Sequence, residues 1–483
     1  MKPNGTYGRL DRKGGVRAPA LPQDPALWVQ GKPVSLMGQQ GHPVLLDFWT
    51  GGCINCLHAS REIEELARMF PSLTVIGVHT PKFSHEATNE AVAAAIARFG
   101  ITHPVVNDHD GKLRELYTVR AWPTLILIAP NGKIALQLSG EGRKQEFAAA
   151  LQEMDQGHQV SQVRPAAPKS SAGLFDCPGK LTLDPQTEML YVADTGHHRI
   201  LAFGHDGELV AQVGSGEKGF VDGHGDSAQL FQPQGVTYDV QKRCLYFADS
   251  GNHALRCWNL EHDTVTTLLG DGIQGKGYPP GWKGAEAQLN APWDLTFHQE
   301  KLSIACAGSH QLWSYDPNRE EAEVILGTGE ENLVDGVPAQ ALLAQPFAIT
   351  SDGTNLYWLD TEASALRRWN GKQVETLVGT GLFAFGFEDG SYPNAQLQHP
   401  QGLTYHNGKL WIADTYNQAV RVFDLQSGVL STILTDVPAP QDLIWREDQL
   451  LILHSTLIEW TGEEIRPLTF FRCEGEECII LNS

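Results

Sequence analysis

The fold of the first third of the chain is decided by one stretch, LLDFWTGGCINC at residues 45–56. Its apolar and aromatic beginning indicates a buried strand, and the small residues at 50–52 end that strand. From Cys53 to Phe70 the less polar side chains recur at helical spacing, so one face of a helix can pack on a sheet. Two cysteines with two residues between them therefore lie where a strand leads into a helix.

This placement favours redox chemistry. Unpaired backbone N–H groups and the helix dipole favour a thiolate in the first helical turn, so we expect Cys53 to be the nucleophile. Cys56, one turn later, can attack a mixed disulfide formed at Cys53 and is the expected resolving thiol. Asp47 precedes Cys53 by six residues on the strand. It is a candidate acceptor for the proton that Cys56 loses.

The surrounding sequence predicts an α/β domain over residues 1–155. Strand signals occur at residues 44–49, 73–79, 121–129 and 134–138, and helix signals occur at 87–99 and 144–154. Trp122-Pro123-Thr124 lies at the third of these strands. A cis Pro123 would leave the adjacent backbone able to pair with an extended client chain, which makes Trp122 and Thr124 candidate binding residues.

These residues resemble the thioredoxin family. The resemblance covers Asp47 to Cys56 and Arg120 to Thr124, in the family's order and context. It implies a thioredoxin-like fold and thiol-disulfide exchange. The chain departs from a standard thioredoxin where Gly52 replaces a tryptophan and Ile54-Asn55 replaces Gly-Pro, so the family's redox potential does not carry over.

The rest of the chain has a different character. Residues 156–171 are polar and small, with Pro165 and Pro168, and predict a linker. Short strands and frequent glycines follow, in units that each open on a proline and an apolar strand. The unit prolines are Pro178, Pro233, Pro292, Pro346, Pro400 and Pro440. Such a repeat is typical of propeller blades, so we predict an all-β six-bladed propeller at residues 172–472 and a tail at 473–483.

Three of the units share a strand that ends in aspartate and a polar turn, at residues 191–200, 246–253 and 411–417. These motifs resemble NHL repeats. The whole chain is similar to the family of thioredoxin-like proteins with an NHL-repeat propeller, whose active sequence typically reads Cys-Cys-Ile-Asn-Cys. Gly52 stands in place of the first of those cysteines. Longer relatives add a β-rich C-terminal domain, for which we expect no room after Phe471.

The repeated positions also supply candidate sites. Recurrent aspartates at strand ends are interpreted as acceptors for turn N–H groups and not as metal ligands. The residue after each unit proline is expected to line the channel mouth, where amide and aromatic groups suit either a peptide or small ligand or plain channel lining. Those candidate binding residues are Gln234, Trp293, Phe347, Gln401 and Gln441, with Gly179 in the first unit.

Several alternatives stay open at the cysteine pair. A structural zinc site needs four ligands, and no second Cys or His pair has suitable spacing. Thr50 and Arg120 suit a thiol peroxidase, although Leu46 stands where that pattern has proline.

His58 is interpreted as a solvated helical histidine. Cys473 and Cys478 flank an acidic loop and are candidates for exchange with the N-terminal pair, although acidic neighbours raise thiol pKa values.

The composition limits the classes of partner that the protein is expected to bind. The chain has 57 acidic and 36 basic residues, a formal charge of −21, which disfavours nucleic acid and anionic membranes. The N-terminal residues lack the apolar stretch of a secretory signal, so we expect a cytoplasmic protein. The predicted function is a thiol-disulfide oxidoreductase without a cofactor, with a protein client and an unidentified electron donor. A non-enzymatic interaction scaffold is the main alternative.

Overall fold

The protein consists of two compact units, Met1–Lys169 and Ser170–Ser483. The computed structural model describes residues 15–154, 173–474 and 477–481. The predicted linker at 156–171 lies outside these described residues. No helix within them is both long and apolar enough to cross a membrane.

The N-terminal unit is built on a six-stranded sheet. Its strands are β1 (Trp28–Gln30), β2 (Val44–Trp49), β3 (Thr74–His79), β4 (Val105–Asn107), β5 (Thr124–Ile128) and β6 (Ile134–Ser139). Its helices are α1 (Ile54–Met69), α2 (Asn89–Phe99), α3 (Lys112–Leu116) and α4 (Lys144–Met154), with 3-10 turns at Pro25–Leu27, Leu36–Gln39 and Ser84–Ala87. The order across the sheet is β1-β4-β3-β2-β5-β6, in which β2, β3 and β4 are parallel and the other pairings antiparallel. This is the thioredoxin-like arrangement that the sequence predicts.

Strand β2 lies in the middle of the sheet and is buried on both faces. On one face Leu45 belongs to a core with Ile63 and Leu66 of α1. On the other face Leu46 and Phe48 belong to a second core. Because no side of β2 reaches water, the strand delivers its C-terminal residues, and the cysteines that follow, from the interior of the domain.

The C-terminal unit is a six-bladed β-propeller, as predicted. Blade 1 contains β7 (Leu181–Leu183), β8 (Leu190–Asp194), β9 (Arg199–Phe203) and β10 (Leu209–Val213). Blade 2 contains β11 (Gly223–His224), β12 (Pro233–Asp239), β13 (Cys244–Asp249), β14 (Ala254–Asn259) and β15 (Thr264–Leu269). Blade 3 contains β16 (Lys283–Gly284), β17 (Pro292–His298), β18 (Lys301–Cys306), β19 (Gln311–Asp316) and β20 (Glu321–Leu326).

The second half of the ring repeats this antiparallel pattern. Blade 4 contains β21 (Pro346–Ser351), β22 (Leu356–Asp360), β23 (Ala365–Trp369) and β24 (Val374–Val378). Blade 5 contains β25 (Gly390–Ser391), β26 (Gly402–His406), β27 (Lys409–Asp414), β28 (Ala419–Asp424) and β29 (Val429–Leu434). Blade 6 contains β30 (Asp442–Arg446), β31 (Gln449–Leu453), β32 (Leu457–Trp460) and β33 (Ile465–Pro467). Short 3-10 turns lie at Thr195–His197, Ser250–Asn252, Ala307–Ser309, Thr361–Ala363 and Thr415–Asn417.

The ring closes by packing and not by exchange of a strand. The inner strands of successive blades contact one another, and β30 of blade 6 contacts β7 of blade 1. At this seam Leu451 and Leu457 share a core with Phe203 and Phe470. Each of the six blades takes all its strands from one continuous segment, so side-chain contacts hold the first and last blades together.

Strand-end aspartates are tied to buried arginines. In blade 5, Asp414 accepts the Gln398 N–H at 2.8 Å and the Arg421 guanidinium at 2.8 Å. Arg421, which is fully buried, also reaches Asp389 of the incoming loop. The same arrangement joins Asp249 to Arg256 and Asp222 in blade 2, and Asp360 to Arg367 and Asp335 in blade 4. The aspartates are thus architectural. Asp414 accepts a backbone N–H from Gln398 of the incoming loop, and from the turn that follows it accepts the side-chain amide of Asn417 at 2.8 Å. The described residues contain no group of metal-ligating side chains.

The chain after blade 6 forms a strand pair, β34 (Phe471–Glu474) and β35 (Glu477–Ile480). Cys473 and Cys478 face each other across it and form a disulfide. Its first residue, Phe471, donates its N–H to the Gly207 carbonyl of blade 1 at 3.2 Å. The tail predicted from residue 473 therefore begins inside a strand, and its two cysteines are paired with each other.

Candidate functional site

Cys53 and Cys56 lie at the start of α1. Cys53 is the N-cap residue, with extended backbone, and its Sγ accepts the Cys56 N–H at 3.2 Å. Neither cysteine is in a disulfide, and Cys53 is 4% and Cys56 1% exposed. An N–H donated to sulfur stabilises a negative charge on that sulfur, so this geometry favours the thiolate of Cys53.

The environment of Cys56 has the opposite effect. Burial raises the pKa of Cys56 well above its usual range, and the hydrogen bond and charge of Cys53 raise it further. The carboxyl of Asp47 adds to this increase. Cys56 is therefore held as a thiol while Cys53 is placed to ionise, an asymmetry between two sulfurs only one helical turn apart.

Asp47 sits in the middle of β2 and is 1% exposed. Its Oδ1 atom has no hydrogen-bond partner within the described ranges. Burial raises the pKa of this carboxyl from 3.8 to about 7. A group with that pKa can take or give a proton near neutral pH, and its charge acts on Cys56.

Glu86 organises the loop before Cys53 and was not found from the sequence. Its buried carboxylate accepts the Thr50 hydroxyl at 2.6 Å and the Gly52 N–H at 2.8 Å. It also accepts the backbone N–H groups of Lys82 and Phe83 at 2.9 and 3.1 Å. Glu86 lies 33 residues after Cys53, in the Ser84–Ala87 turn, and no motif spacing connects the two. Because Thr50 donates its hydroxyl to Glu86, that proton is not directed at a substrate of Cys53.

The Trp122–Pro123 peptide bond is cis, as predicted. Strand β5 pairs with β2 so that Thr124 lies opposite Phe48, which places Pro123 beside the end of β2. The Pro123 carbonyl accepts the Gly140 N–H at 2.9 Å, and the Thr124 hydroxyl donates to the Ala121 carbonyl at 2.7 Å. By contrast, the N–H and carbonyl of Trp122 have no hydrogen-bond partner in the described part of the chain.

His58 lies on α1 but is not solvated. It is 3% exposed, and its Nδ1 lies 2.5 Å from Oε2 of Glu141. The interpretation of His58 as a solvated histidine is therefore wrong, because the loop between β6 and α4 covers this part of α1. Arg120, the other residue considered for a peroxidase, is exposed.

Comparisons with known proteins agree with this fold. A thioredoxin-like family model matches residues 41–134 and an NHL-repeat model matches residues 397–423. Protein SUPPRESSOR OF QUENCHING 1, chloroplastic, from Arabidopsis thaliana is 35% identical over 439 residues, which are 84% of this chain and 42% of that protein. NHL repeat-containing protein 2 from Gallus gallus is 35% identical over 462 residues, 86% of this chain and 63% of that protein. The chain is a thioredoxin-like protein with an NHL-repeat propeller.

The chain spans less than two thirds of the length of both of these relatives. A third relative matches a much shorter part of this thioredoxin-like NHL-repeat protein. Thiol-disulfide oxidoreductase ResA from Bacillus anthracis is 28% identical over 126 residues, 26% of this chain and 71% of that protein.

The residues predicted to line the mouth of the propeller channel are all buried or half-buried. Trp293 stacks on Phe347 with ring centroids 4.4 Å apart, and both are buried. The carbonyl of buried Gln401 accepts the Lys180 ammonium, which the sequence did not flag. Gln234 is half-buried, and so is Gln441, whose amide donates to the Ala439 carbonyl at 3.0 Å. Gly179 is buried. A Cβ at this position would lie 2.6 Å from Oε1 of Gln234, so no larger residue fits without a shift.

Proposed function

We propose that this protein is a thiol-disulfide oxidoreductase that acts through Cys53 and Cys56 on a protein client. The observation that carries the proposal is the N-cap position of Cys53, whose sulfur accepts the Cys56 N–H at 3.2 Å. The raised pKa of Cys56 and the unpaired oxygen of Asp47 support the division of roles between the two thiols. The relationship to a protein named as a thiol-disulfide oxidoreductase agrees with it.

In the first step, the Cys53 thiolate attacks one sulfur of a client disulfide. A Cys53–client disulfide forms, the client disulfide breaks, and the other client sulfur leaves as a thiolate that takes a proton from water. The N–H of Cys56 keeps Cys53 reactive before the attack. The unpaired N–H and carbonyl of Trp122 would hold the client as an extended strand during this step.

In the second step, Cys56 resolves the intermediate. The Asp47 carboxylate takes the Cys56 proton, and the new thiolate attacks Sγ of Cys53. The second client sulfur leaves, and a Cys53–Cys56 disulfide remains. The client has gained two electrons and two protons, and a dithiol electron donor reduces the pair for another cycle. The same steps in reverse would oxidise a client.

The propeller and the location complete the proposal. We propose that the propeller recruits the protein client, and that the protein works in a reducing compartment such as the cytoplasm. The formal charge of −21 supports protein partners over nucleic acid or an anionic membrane. A reducing compartment would keep Cys53 and Cys56 as the dithiol that begins the cycle.

The test uses the full chain with Cys56→Ser, which cannot resolve the intermediate. Expressed in cells and isolated under denaturing, thiol-blocked conditions, this variant should carry client proteins bound through Cys53. Cys53→Ser/Cys56→Ser is the matched control and should carry none. Adducts equal in number in the two variants, or absent from both, would overturn the proposal.

A scaffold without enzymatic activity is the second candidate. It is favoured by the low exposure of the two thiols, 4% for Cys53 and 1% for Cys56. Reduction of insulin disulfides with a dithiol donor separates the two functions. The oxidoreductase requires activity in the wild type and its loss in Cys53→Ser, whereas a scaffold gives no difference between them.

A further inference from the structure

At four of the six interfaces between neighbouring blades, two aromatic residues face each other. The second strand of one blade carries the first of them, and the inner strand of the next blade carries the second. The pairs are Tyr191 with Tyr238 at 5.6 Å, Tyr246 with Phe297 at 5.9 Å and Trp411 with Trp445 at 4.9 Å between ring centroids. Blades 4 and 5 carry Tyr357 and Tyr405 at these positions. At the interface between blades 6 and 1, Leu451 and Leu183 take these positions and pack with the core of that interface.

Between blades 3 and 4 both aromatic residues are replaced by serine. Ser303 occupies the position on β18, where it lies opposite Thr296, as Tyr246 lies opposite Thr237 in blade 2. Ser351 occupies the position at the end of β21. Two rings are thus missing from the same interface, and a cleft of about 490 Å³ lies beside Ser303 there. This volume falls in the usual range for small-molecule sites, about 300–1,000 Å³.

The cleft presents hydroxyl and indole groups. Ser303 lines the cleft and is 2% exposed. Ser314, its neighbour across the ladder, also lines the cleft. The indole Nε1 of Trp369, on the blade 4 side, is buried and without a partner within the described ranges. These hydroxyl and indole groups can hydrogen-bond to water or to a ligand that enters the cleft.

Other residues that line the cleft determine which chemical groups of a ligand it can bind. His298 is held by Ser351, with Nδ1 and Oγ 2.8 Å apart, and burial lowers its pKa, which favours the neutral ring. Lys301 is exposed at the rim and forms no ion pair in the described part of the chain. Val324, Ile325 and other apolar residues complete the wall. The cleft therefore combines apolar walls, hydroxyl and indole donors, the Lys301 cation and the Glu323 carboxylate, which is paired with Lys283 at 3.0 Å.

We propose that the cleft between blades 3 and 4 binds a small molecule with one planar ring that carries hydroxyl and carboxylate substituents. The ring takes the space of the two absent aromatic side chains. Its hydroxyl pairs with Ser303, Ser314 or the Trp369 indole, and its carboxylate lies near Lys301. The site belongs to the propeller alone and does not depend on the cysteine chemistry.

The test measures binding of 4-hydroxybenzoate to the full chain by titration calorimetry and by saturation-transfer NMR. Wild type should show saturable binding. Ser303→Tyr introduces the side chain that blades 1, 2 and 4 carry at this position and should weaken binding by at least about tenfold. Lys301→Ala should weaken 4-hydroxybenzoate but not phenol, because phenol has no carboxylate. Lys242→Ala, an exposed lysine of blade 2, is the matched control and should change neither.

Circular dichroism establishes whether Ser303→Tyr is folded. If it is not, Lys301→Ala and the comparison of 4-hydroxybenzoate with phenol decide the question, because the Lys301 side chain is at the surface. Absence of saturable binding to wild type overturns the proposal. Binding that persists unchanged in both Ser303→Tyr and Lys301→Ala places the ligand elsewhere and overturns it as well.

Discussion

Asp47 in the N-terminal unit and Asp414 in the propeller are both buried aspartates on interior strands. Burial raises the pKa of both, to about 7 for Asp47 and about 6 for Asp414. Only at Asp414 do partners oppose this effect, namely Asn417, Arg421 and the Gln398 N–H. Asp47 has an oxygen without any partner in the described residues.

This difference distinguishes a buried carboxylate with a structural role from one with a chemical role. A buried carboxylate paired with a buried arginine holds its loop in place. The repetition of this pair in three blades marks a structural role, even at Asp360, where one oxygen has no hydrogen-bond partner in the described residues. A buried carboxylate without partners costs stability, so it persists where a proton must move. Glu86 and Glu62 extend the comparison, because each accepts several backbone N–H groups.

The largest expected effect is at Arg421. Arg421→Ala leaves Asp414 buried without its cation and should lower the free energy of unfolding of the propeller by about 3–5 kcal/mol. Hydrogen exchange of blade 5 peptides, with the exposed Arg319→Ala as control, measures it. A loss below about 1 kcal/mol would mean that the pair behaves like a surface ion pair and would break the comparison.

Asp47→Asn should have the opposite effect and raise the free energy of unfolding. The pKa of Asp47 is raised from 3.8 to about 7 in the folded protein, so wild-type stability declines as pH rises from about 4 to about 7. The variant lacks this decline and should gain up to about 4 kcal/mol at pH 8, less the cost of burying an amide. Denaturant unfolding from pH 4 to 8 measures the difference, and parallel curves would contradict it. Client turnover should fall at the same time.

Glu86→Gln should cost about 2 kcal/mol, since an amide offers only one acceptor oxygen to the four donors around Glu86. The alkylation rate of Cys53 should also change, because the Gly52 N–H is released. Thr50→Val tests one of the four bonds alone. Equal stability losses in the two variants would assign the whole effect to the Thr50 hydroxyl.

The smallest effect is expected at Glu62. Its carboxylate accepts N–H groups of Gly142, Arg143 and Lys144 at the start of α4 and is partly solvated. Glu62→Gln keeps one acceptor oxygen and should cost about 1 kcal/mol or less. Hydrogen exchange of the α4 peptide, compared with that of α2 in the same sample, detects it. A loss as large as that of Glu86→Gln would show that exposure does not weaken such bonds here.

The sequence predicted those features that depend on local pattern. The start of α1 at Ile54 after Cys53, the cis Pro123 and the blade repeat follow from short-range signals of turn, helix and period. Glu86 was missed because its partners are backbone N–H groups, which every residue carries and no motif marks. His58 was misjudged since the glutamate that pairs with it lies 83 positions away.

The propeller also has features that local sequence patterns could not predict. The repeat predicted which residues are equivalent, and it aligns Ser303 with aromatic residues in four blades and with Leu451 in blade 6. That the facing position holds Ser351 required knowledge of which blade surfaces meet. The pairing of Cys473 with Cys478 likewise depends on the register of β34 and β35, which places them opposite each other.

The closure of the ring without strand exchange has a consequence for synthesis. Phe203 of blade 1 receives its cover from Leu451, Leu457 and Phe470, about 250 residues later in the chain. At ordinary rates of translation this face stays open for on the order of tens of seconds, while the N-terminal unit can already be folded. Blade 1 is therefore the part of the nascent protein that most needs protection by a chaperone.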